Sequence, residues 1–377
     1  MIPDRWSVLI QKGEVNPRYY NPGDLFDEVH IMMTNDDRPD PEFMKPMVGK
    51  AKLFLYNYPE PSGFFKKTLG WRPWRMKSWS KGAVDIARKI QPNLMRCHGL
   101  YLNTFLAAEI KSALKIPYLV SIHINPDENF RKHLKTLKEK IVNTCIKEVE
   151  NYSLKYADLV MPVYEPIVPY LKKRGILHYQ VCYNVVGESF LQKKDNYTYS
   201  SPFKLICIGN LHHQKNPINL IKAVEKMPDV TLTIVGNGDL QEDLVQYVSD
   251  KNLNPRIKFY KGIPNKDLRS FITSHDAVTL QTEHFEFSKV MIESSLSGMP
   301  ILTNYLKSRL RVPELQYDNC LFVENTVLGY EQGIEKLMTD DSLRKKLGEN
   351  ARNLASERCN PHVCEKKYAD IYKAHMK

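Results

Sequence analysis

Residues 204–240 read KLICIGNLHHQKNPINLIKAVEKMPDVTLTIVGNGDL, and they carry the clearest structural pattern in the chain. Two apolar, β-branched runs at 204–210 and 230–236 enclose a segment of helical length at 218–227. A strand, a helix and a second strand in this order are typical of a parallel sheet with crossover helices. Because a glycine ends or follows each apolar run, the segment predicts a β-α-β unit with a tight turn at the carboxyl end of each strand.

The same alternation continues on both sides of this unit. Further strands are predicted at 256–262, 276–282, 300–304 and 320–324 in the second half, and at 93–99, 117–123 and 157–163 in the first half. Helices are predicted between them, including a long basic helix at 129–155. This order predicts an α/β protein of two doubly wound, Rossmann-like domains that face each other across a cleft.

A polar stretch separates the two alternating halves. The sequence GESFLQKKDNYTYSSP at 187–202 lacks apolar periodicity, which predicts an interdomain linker. At 377 residues the chain is long enough for two domains of ordinary size. We predict a first domain at 1–186, a second at 203–360, and a C-terminal helix of about 361–377 that can pack back on the first.

The long basic helix has one apolar stripe. Apolar residues from Phe130 to Val149, Leu137 and Ile141 among them, recur at steps of three and four residues. Such a stripe packs against the core in an amphipathic helix, while the charged residues face solvent. We therefore expect Leu137 and Ile141 to lie inside, and Arg131 to lie outside with the neighbouring lysines.

Composition limits the class of protein. Lys and Arg number 54 against 43 Asp and Glu, and the formal net charge of +11 favours anionic partners. No run approaches the roughly 18 apolar residues of a membrane span, and residues 1–17 do not resemble a secretory signal. Seven scattered cysteines, an odd number, are typical of reduced thiols. We expect a cytoplasmic protein.

Two classes of site are disfavoured. Cys359, His362 and Cys364 match no standard zinc spacing and lack a fourth ligand, so no metal is expected. The basic residues are not interleaved as in a nucleic-acid-binding module, so no nucleic-acid partner is expected either.

In an open parallel sheet, ligands bind at the carboxyl ends of the strands. After the strand at 204–210, the turn contains Gly209, Asn210 and Lys215. A glycine there lets a phosphate approach the backbone, and a lysine at a helix start offers positive charge. Gly236 ends the next strand and permits another tight turn. An ordinary capped turn is the alternative interpretation of both.

The sequence EHFEFSKVMIESSLSG at 283–298 predicts a third turn of this kind. Phe287, Ser288 and Lys289 fall in the first helical turn, where free N–H groups and the helix dipole can hold a diphosphate. Glu293 follows in the same helix, and its carboxylate can accept two hydrogen bonds from a ribose diol. The alternative is a polar loop followed by a solvent-facing glutamate.

Two histidines end strands in the first half. His98 closes one strand and His123 ends the next. Both imidazoles are expected at the same sheet edge, where they could meet an acceptor. A purely structural histidine is the alternative for each of them.

The second half resembles the retaining glycosyltransferases of family 4, which have the GT-B fold. The resemblance covers nearly all of 204–358, through IGNLHHQKNPINLIKAV, LTIVGNGDLQEDL, IKFYKGIPNKDL, SKVMIESSLSGMPIL and PELQYDNCLFV. It extends more loosely over 93–184, through HGLYLNTFLAAEI, IPYLVSIH and ADLVMPV. Because the order of these segments matches the family, the resemblance implies a GT-B fold with an acceptor-binding and a donor-binding domain.

The resemblance also implies roles for individual residues. Lys215 is expected to contact the donor diphosphate, Glu293 the nucleotide ribose, and the backbone near Ile263 the base. His123 is expected beside the transferred sugar as a catalytic residue. The remaining donor-binding positions are Gly209, Asn210, Gly236 and the amides of Phe287 and Ser288.

Two positions depart from the family pattern. The family usually has arginine after the strand-end glycine, where this chain has Asn210, and the first glutamate of its paired motif falls on Phe285. Glu286 follows directly, and Glu283 precedes Phe285 by two positions. We assign the catalytic carboxylate to Glu286, with Glu283, or neither of them, as the alternatives.

The resemblance implies a retaining, metal-independent glycosyltransferase. It would move a sugar from a nucleotide diphosphate donor, a UDP-sugar, to a glycan or lipid-linked acceptor in cell-surface polysaccharide or glycoconjugate synthesis. The nucleotide sugar is a substrate, so no cofactor is expected. The alternatives are a nucleotide-sugar epimerase of the same architecture and a non-catalytic subunit that kept the fold.

A basic and aromatic segment lies in the first half. Residues 64–81, FFKKTLGWRPWRMKSWSK, hold six basic residues, five aromatic residues and no acidic residue. This composition suits the headgroup boundary on the cytoplasmic face of an anionic membrane. A basic loop packed on the core and an anionic-acceptor site are the alternatives. The residues assigned to acceptor or membrane binding are His98, Trp71, Trp74, Trp79, Arg72 and Arg75.

Overall fold

The computed structural model describes residues 1–11, 14–304 and 312–376. The chain forms two compact units. The first comprises Met1–Ile10, Val15–Tyr183 and Cys364–Lys377, and the second comprises Gln11–Glu14 and Asn184–Val363. Lys377, the last residue of the predicted C-terminal helix, lies outside the described residues.

The described part of the first unit contains five strands in two parallel sheets. In one sheet β1 (Glu28–Met33) pairs with β2 (Lys52–Asn57), and in the other β3 (Met95–His98), β4 (Tyr118–Ile122) and β5 (Leu159–Pro162) pair in that order. The helices are α1 (Trp6–Gln11), α2 (Pro41–Met44), α3 (Phe64–Lys67), α4 (Pro73–Ile90), α5 (Leu102–Leu114), α6 (Leu137–Tyr156) and α7 (Val168–Lys172). Every residue of β4 is buried, as expected of a central strand that is covered on both faces.

The second unit is built on a single parallel sheet. Its strands are β6 (Phe203–Ile208), β7 (Val230–Val235), β8 (Ile257–Tyr260), β9 (Ala277–Leu280), β10 (Ile301–Asn304) and β11 (Leu321–Val323). They pair in the order β11-β10-β9-β6-β7-β8. Because the chain continues to β7 on one side of β6 and later places β9 on the other, the carboxyl end of β6 is the switch point where such sheets bind ligands.

Helices alternate with these strands. They are α8 (Ile218–Lys226), α9 (Gln241–Asp250), α10 (Asn265–Thr273), α11 (Lys289–Leu296), α12 (Val327–Thr339) and α13 (Asp341–Arg358). The next helix, α14 (Pro361–His375), belongs to the first unit from Cys364 onward. Each strand predicted between residues 93 and 324 coincides with an observed strand to within two residues at either end.

The turns after β6 and β7 lie against each other. Gly236 has a φ of +151°, and a Cβ atom there would overlap the carbonyl oxygen of Gly209. Gly238 has a φ of +159°, and a Cβ atom there would overlap the carbonyl oxygen of Leu211. The N–H of Leu211 also donates to the carbonyl oxygen of Asn237 at 2.9 Å. Glycine is therefore required for the close approach of these two turns.

The stretch predicted as a linker, 187–202, lies on the second unit. Phe190 is fully buried, and Nζ of Lys194 donates at 2.9 and 2.8 Å to two backbone carbonyl oxygens around the end of α10. The hydroxyl of Tyr197 donates to the carbonyl oxygen of Gly298 at 2.7 Å. The stretch has no apolar periodicity because its polar side chains pair with backbone acceptors instead.

Helix α6 begins later than predicted. The hydroxyl of Thr136 accepts a hydrogen bond from the N–H of Glu139 at 3.1 Å, and the carboxylate of Glu139 accepts one from the N–H of Thr136 at 2.8 Å. This reciprocal capping box starts the helix at Leu137. Residues 130–133 form a separate 3₁₀ turn.

The predicted inward stripe of α6 is wrong in its first half. Leu137 is 74% exposed and Ile141 is 57% exposed, whereas Val149 is buried. Arg131, predicted to face solvent, instead lies inside, where its guanidinium donates to the buried carboxylate of Glu150 at 2.6 Å. A buried charge needs such a partner, and the side-chain periodicity did not reveal it.

Three further features concern membranes, thiols and metals. Within the described residues, no helix combines the length and the apolar composition that crossing a bilayer requires. All seven cysteines are buried and none is in a disulfide. In the same part of the chain, no three His, Cys, Asp or Glu side chains lie close enough together to hold a metal ion.

Candidate active site

A cavity of about 270 Å³ lies at the carboxyl ends of β6, β7, β8 and β9 in the second unit. It is lined by the turns after these strands and by the first turn of α11. The structure therefore brings together eight of the nine residues predicted for the second half: Gly209, Asn210, Lys215, Gly236, Ile263, Glu286, Ser288 and Glu293.

Lys215 and Glu286 form an ion pair in this cavity. Nζ of Lys215 lies 2.6 Å from Oε1 of Glu286, and the two side chains are 27% and 12% exposed. Glu283 is exposed, does not line the cavity, and its N–H donates to the carbonyl oxygen of Gln214 at 2.9 Å. Phe285, which occupies the family's glutamate position, is buried. Of the two candidate carboxylates, Glu286 is therefore the one that lies in the cavity.

The first turn of α11 opens onto the cavity. Ser288 caps the helix, and its hydroxyl accepts a hydrogen bond from the N–H of Met291 at 3.4 Å. Lys289 and Val290, the first two helical residues, line the cavity, and N–H groups at these positions have no acceptor within a helix. Together with the helix dipole they make this end electropositive. Phe287 is fully buried and does not line the cavity, unlike the prediction for its amide.

Glu293 lies at the buried side of the cavity. It is 2% exposed, and burial raises the pKa of its carboxyl to about 7. The ammonium of Lys289 opposes this rise in pKa, and the carboxylate of Glu14 adds to it. A carboxyl group in this environment can exchange hydrogen bonds with a diol in either protonation state.

Sequence reasoning missed Glu14. Its carboxylate lies 3.6 Å from Nζ of Lys289, and both residues line the cavity. Glu14 comes from a short segment near the start of the chain that groups with the second unit. No local pattern connects it with α11. The other polar lining residues that were not predicted are Asn237, Lys261, Asn265, Gln281 and Thr282.

The two predicted histidines of the first unit stack on each other. The rings of His98 and His123 are 5.8 Å apart with an interplanar angle of 15°. His98 is buried, and this burial, together with the charges of Arg96 and His123, holds the pKa of its imidazole well below the ordinary value. The Nε2 atom of His98 makes no hydrogen bond to the described part of the chain. The lowered pKa and the unpartnered Nε2 atom both favour the neutral form of His98.

The segment 64–81 does not present its tryptophans together. Trp71 is 8% exposed, and its indole N–H donates to the carboxylate of Glu60 at 3.1 Å. Trp79 packs against Phe64, with ring centroids 4.8 Å apart. Only Trp74 among these three is exposed.

The two predicted arginines of this segment have different surroundings. Arg72 pairs with Glu148 of α6. The guanidinium of Arg75 lies 4.7 Å from the ring centroid of Trp74, so Arg75 and Trp74 are together at the surface.

Comparison with known proteins assigns the fold and the enzyme class. Residues 189–354 match the family model of Glycosyl transferases group 1. The structure of HepE from Anabaena in complex with UDP and glucose superposes with a TM-score of 0.74 at 15% identity, over 99% of this chain and 98% of that one. The chain is a glycosyltransferase with the GT-B fold. The predicted fold class and enzyme class are thereby confirmed.

Relatives of this glycosyltransferase include enzymes matched along their whole length and others matched in part. An uncharacterized glycosyltransferase of Methanocaldococcus jannaschii is 22% identical over 391 residues, which cover 94% of this chain and 96% of the relative. LpsE of Rhizobium meliloti, a lipopolysaccharide core biosynthesis glycosyltransferase, is 26% identical over 149 residues, which cover 38% of this chain and 42% of LpsE. LpsE is thus matched over less than half of its length.

Proposed function

We propose that this glycosyltransferase moves a sugar from a UDP-sugar to a glycan or lipid-linked acceptor, with retention of the anomeric configuration and without a metal ion. The observation that carries the proposal is the convergence of Lys215, the first turn of α11 and Glu293 on one cavity at the carboxyl ends of the strands. UDP is proposed as the nucleotide because HepE, which shares the fold, was solved in complex with UDP and glucose.

The cavity offers a separate partner for each part of such a donor. Lys215 and the N–H groups at the start of α11 face the diphosphate, because both supply positive charge. Glu293 receives the ribose diol, and the backbone around Ile263 receives the base. Lys289 adds a second ammonium beside the first helical turn.

The same groups serve the reaction. The bond between the sugar C1 and the diphosphate oxygen breaks, and its electron pair leaves with UDP. Lys215 and the start of α11 stabilise that negative charge, which is why we propose a reaction that needs no metal. The carboxylate of Glu286 stabilises the positive charge on the sugar ring. The acceptor oxygen bonds to C1 and gives its proton to the departing diphosphate.

We propose that the first unit binds the acceptor. His123 follows β4 and stacks on His98, so a pair of imidazoles lies at the carboxyl ends of β3 and β4. We propose that His123 contacts the transferred sugar. A cell-surface glycan is proposed as the product because LpsE acts in lipopolysaccharide core biosynthesis. Retention follows from the resemblance to family 4.

Donor binding tests this proposal directly. A thermal-shift screen of nucleotide sugars should find a UDP-sugar that raises the melting temperature, because a ligand that binds only the folded state stabilises it by mass action. Lys215→Ala should lose the shift. Lys345→Ala, which removes an exposed lysine of α13 outside the cavity, should keep it. A full shift in Lys215→Ala would refute the diphosphate assignment.

Analysis of the products distinguishes a glycosyltransferase from the alternative classes. With the best donor and no acceptor, slow release of UDP is expected, because water can replace the acceptor. Conversion of the UDP-sugar into its epimer, with no release of UDP, would instead identify a nucleotide-sugar epimerase. A chain that binds no nucleotide across the panel would be a non-catalytic subunit.

A further inference from the structure

Four large apolar side chains of the first unit are exposed near the starts of α4 and α6. Leu69 is 58% exposed, Trp74 63%, Leu137 74% and Ile141 57%. Leu69 precedes α4 and Trp74 lies in its first turn, whereas Leu137 and Ile141 lie in the first two turns of α6. We call these four residues the apolar patch.

Packing between the two segments places Leu69 beside α6, on which Leu137 and Ile141 lie one turn apart. Gly70 lies so close to α6 that a Cβ atom there would overlap Sγ of Cys145, and Arg72 pairs with Glu148 one turn later. The segment that contains Leu69 therefore runs along α6 in the same direction as the helix. Ile141 lies one helical turn before Cys145 on the same face. Leu69, which precedes Gly70, thus lies on the side of Cys145 where Ile141 and Leu137 are found.

Lysines and one arginine surround the patch. The exposed basic residues of the two segments are Lys66, Lys67, Arg75, Lys77, Lys81, Lys135, Lys138 and Lys140. The acidic side chains beside them are engaged locally. Glu139 accepts hydrogen bonds from two backbone N–H groups at the start of α6, Glu148 pairs with Arg72, and Glu60 accepts from Trp71. The surface around the patch is therefore strongly cationic.

We propose that the apolar patch docks this glycosyltransferase on an anionic membrane. Leu, Ile and Trp side chains can enter the boundary between headgroups and acyl chains, and the surrounding lysines can contact anionic headgroups. The cationic rim argues for a bilayer as the occupant, because a partner that covered an apolar patch alone would need no such rim. The proposal deepens the proposed function, since it favours the lipid-linked acceptors of the proposed class.

This surface differs from the tryptophan set predicted from sequence. Trp71 is buried and Trp79 is half-buried against Phe64, so neither presents its whole indole ring at the surface. Leu137 and Ile141 belong to a stripe that was expected to face the core. The structure therefore replaces two tryptophans of the predicted surface by two residues of α6.

Vesicle flotation of the full chain tests the proposal. The parent should float with vesicles of phosphatidylcholine and phosphatidylglycerol, and much less with pure phosphatidylcholine. The double variant Leu137→Ser, Ile141→Ser should bind the mixed vesicles about tenfold or more weakly, since two inserting side chains are lost. Leu177→Ser is the matched control, because Leu177 is 78% exposed but follows α7. It should float like the parent.

The charge contribution is tested separately. Lys135→Gln with Lys138→Gln should weaken flotation on the mixed vesicles and reduce its dependence on salt. The control is the double variant Lys45→Gln, Lys172→Gln, which changes two exposed lysines outside the patch. An equal loss in both pairs would mean that net charge alone drives binding and would overturn the proposal.

Three other results would overturn the proposal. The first is that the parent fails to float, and the second is that the Leu137 and Ile141 variant floats like the parent. The third is that sedimentation shows the parent to be a dimer and this variant to be a monomer, which would make the patch a dimer interface. UDP release from a soluble donor separates this proposal from the proposed function, because the patch lies in the first unit and the donor cavity in the second. The patch variant should keep parental UDP release. A parent that floats but never releases UDP would refute only the glycosyltransfer.

Discussion

At the scale of single residues, the ion pair of Lys215 and Glu286 favours one of the two glutamates that the sequence offered as catalytic carboxylate. The family's first motif glutamate is replaced by Phe285, and two neighbouring glutamates were candidates to take its place. Phe285 is buried, and the next residue, Glu286, lies in the cavity with its carboxylate 2.6 Å from Nζ of Lys215. In a partly desolvated site this attraction is stronger than at the surface, so Glu286 also orients the lysine.

Substitution of the two glutamates should therefore have unequal effects. Glu286→Gln is expected to slow acceptor-independent UDP release about 100-fold, because in the proposed reaction it removes a charge that stabilises the sugar and orients Lys215. Glu283→Gln should release UDP at close to the parental rate, since Glu283 is exposed outside the cavity. Both rates are measured at saturating donor. A slower Glu283→Gln together with an active Glu286→Gln would reverse the assignment.

Glu293 should make stability depend on pH. Burial raises the pKa of its carboxyl from 4.5 to about 7. Between these two values the folded state holds more protons than the unfolded state, so the free energy of unfolding falls as the pH rises through this window. The glutamine of Glu293→Gln cannot ionise, so the stability of this variant lacks this dependence on pH. When the pH is raised from about 5 to about 8, the free energy of unfolding of the parent should therefore fall by about 2.5 kcal/mol more than that of Glu293→Gln.

Urea unfolding at the two pH values measures this difference. Glu335→Gln, which changes an exposed glutamate of α12, is the control and should follow the parent. The charged groups that face Glu293 are Lys289 and Glu14. If Glu293→Gln loses as much stability as the parent over this range, Glu293 is already ionised in the folded state near pH 5.

At the scale of elements, the clearest strand patterns in the sequence belong to short, continuously apolar strands in the middle of a sheet. β4 and β9 are buried at every position, so their sequences are uninterrupted runs between turn residues. β2 escaped prediction because exposed and half-buried positions alternate along it, and none of its residues is fully buried. Edge strands with this pattern resemble polar loops in sequence.

In helix α6, by contrast, the sequence pattern was clear but the face that it predicted to be buried is partly exposed. Its apolar spacing is regular, and a regular stripe predicts an inward face. The fold instead leaves Leu137 and Ile141 exposed and uses Glu150 to neutralise Arg131 inside. Periodicity detects the face of a helix that is apolar, but which part of that face is covered depends on the neighbouring elements.

At the scale of the whole molecule, most residues of the proposed donor cavity could be predicted because they lie in turns next to strands that the sequence already revealed. Glu14 could not be predicted, because it groups with the second unit although the residues that follow it belong to the first. The second unit also begins earlier than predicted, at Asn184, so that it includes the stretch predicted as a linker. Polar side chains of 187–202 secure that stretch to the second unit by hydrogen bonds, which leave no trace in the hydrophobic pattern.

Because 187–202 packs on the second unit, its removal should lower the stability of that unit in isolation. A protein of residues 184–363 keeps Phe190 in its pocket and keeps the hydrogen bonds of Lys194 and Tyr197, whereas one of residues 203–363 loses all three. Loss of a buried phenylalanine alone costs about 3 kcal/mol. The shorter protein should therefore melt about 10 °C lower, since 1 kcal/mol shifts the midpoint of a domain of this size by a few degrees.

Scanning calorimetry of both proteins, with and without UDP, measures the difference. The longer protein should bind UDP, because apart from Glu14 every residue that lines the cavity lies between residues 207 and 293. Phe190→Ala in the longer protein separates the lost side chain from the lost chain length. It should account for a large part of the difference in melting temperature, because Phe190 is the fully buried member of the stretch. Equal melting temperatures of the two proteins would mean that 187–202 does not stabilise the second unit and acts as the predicted linker.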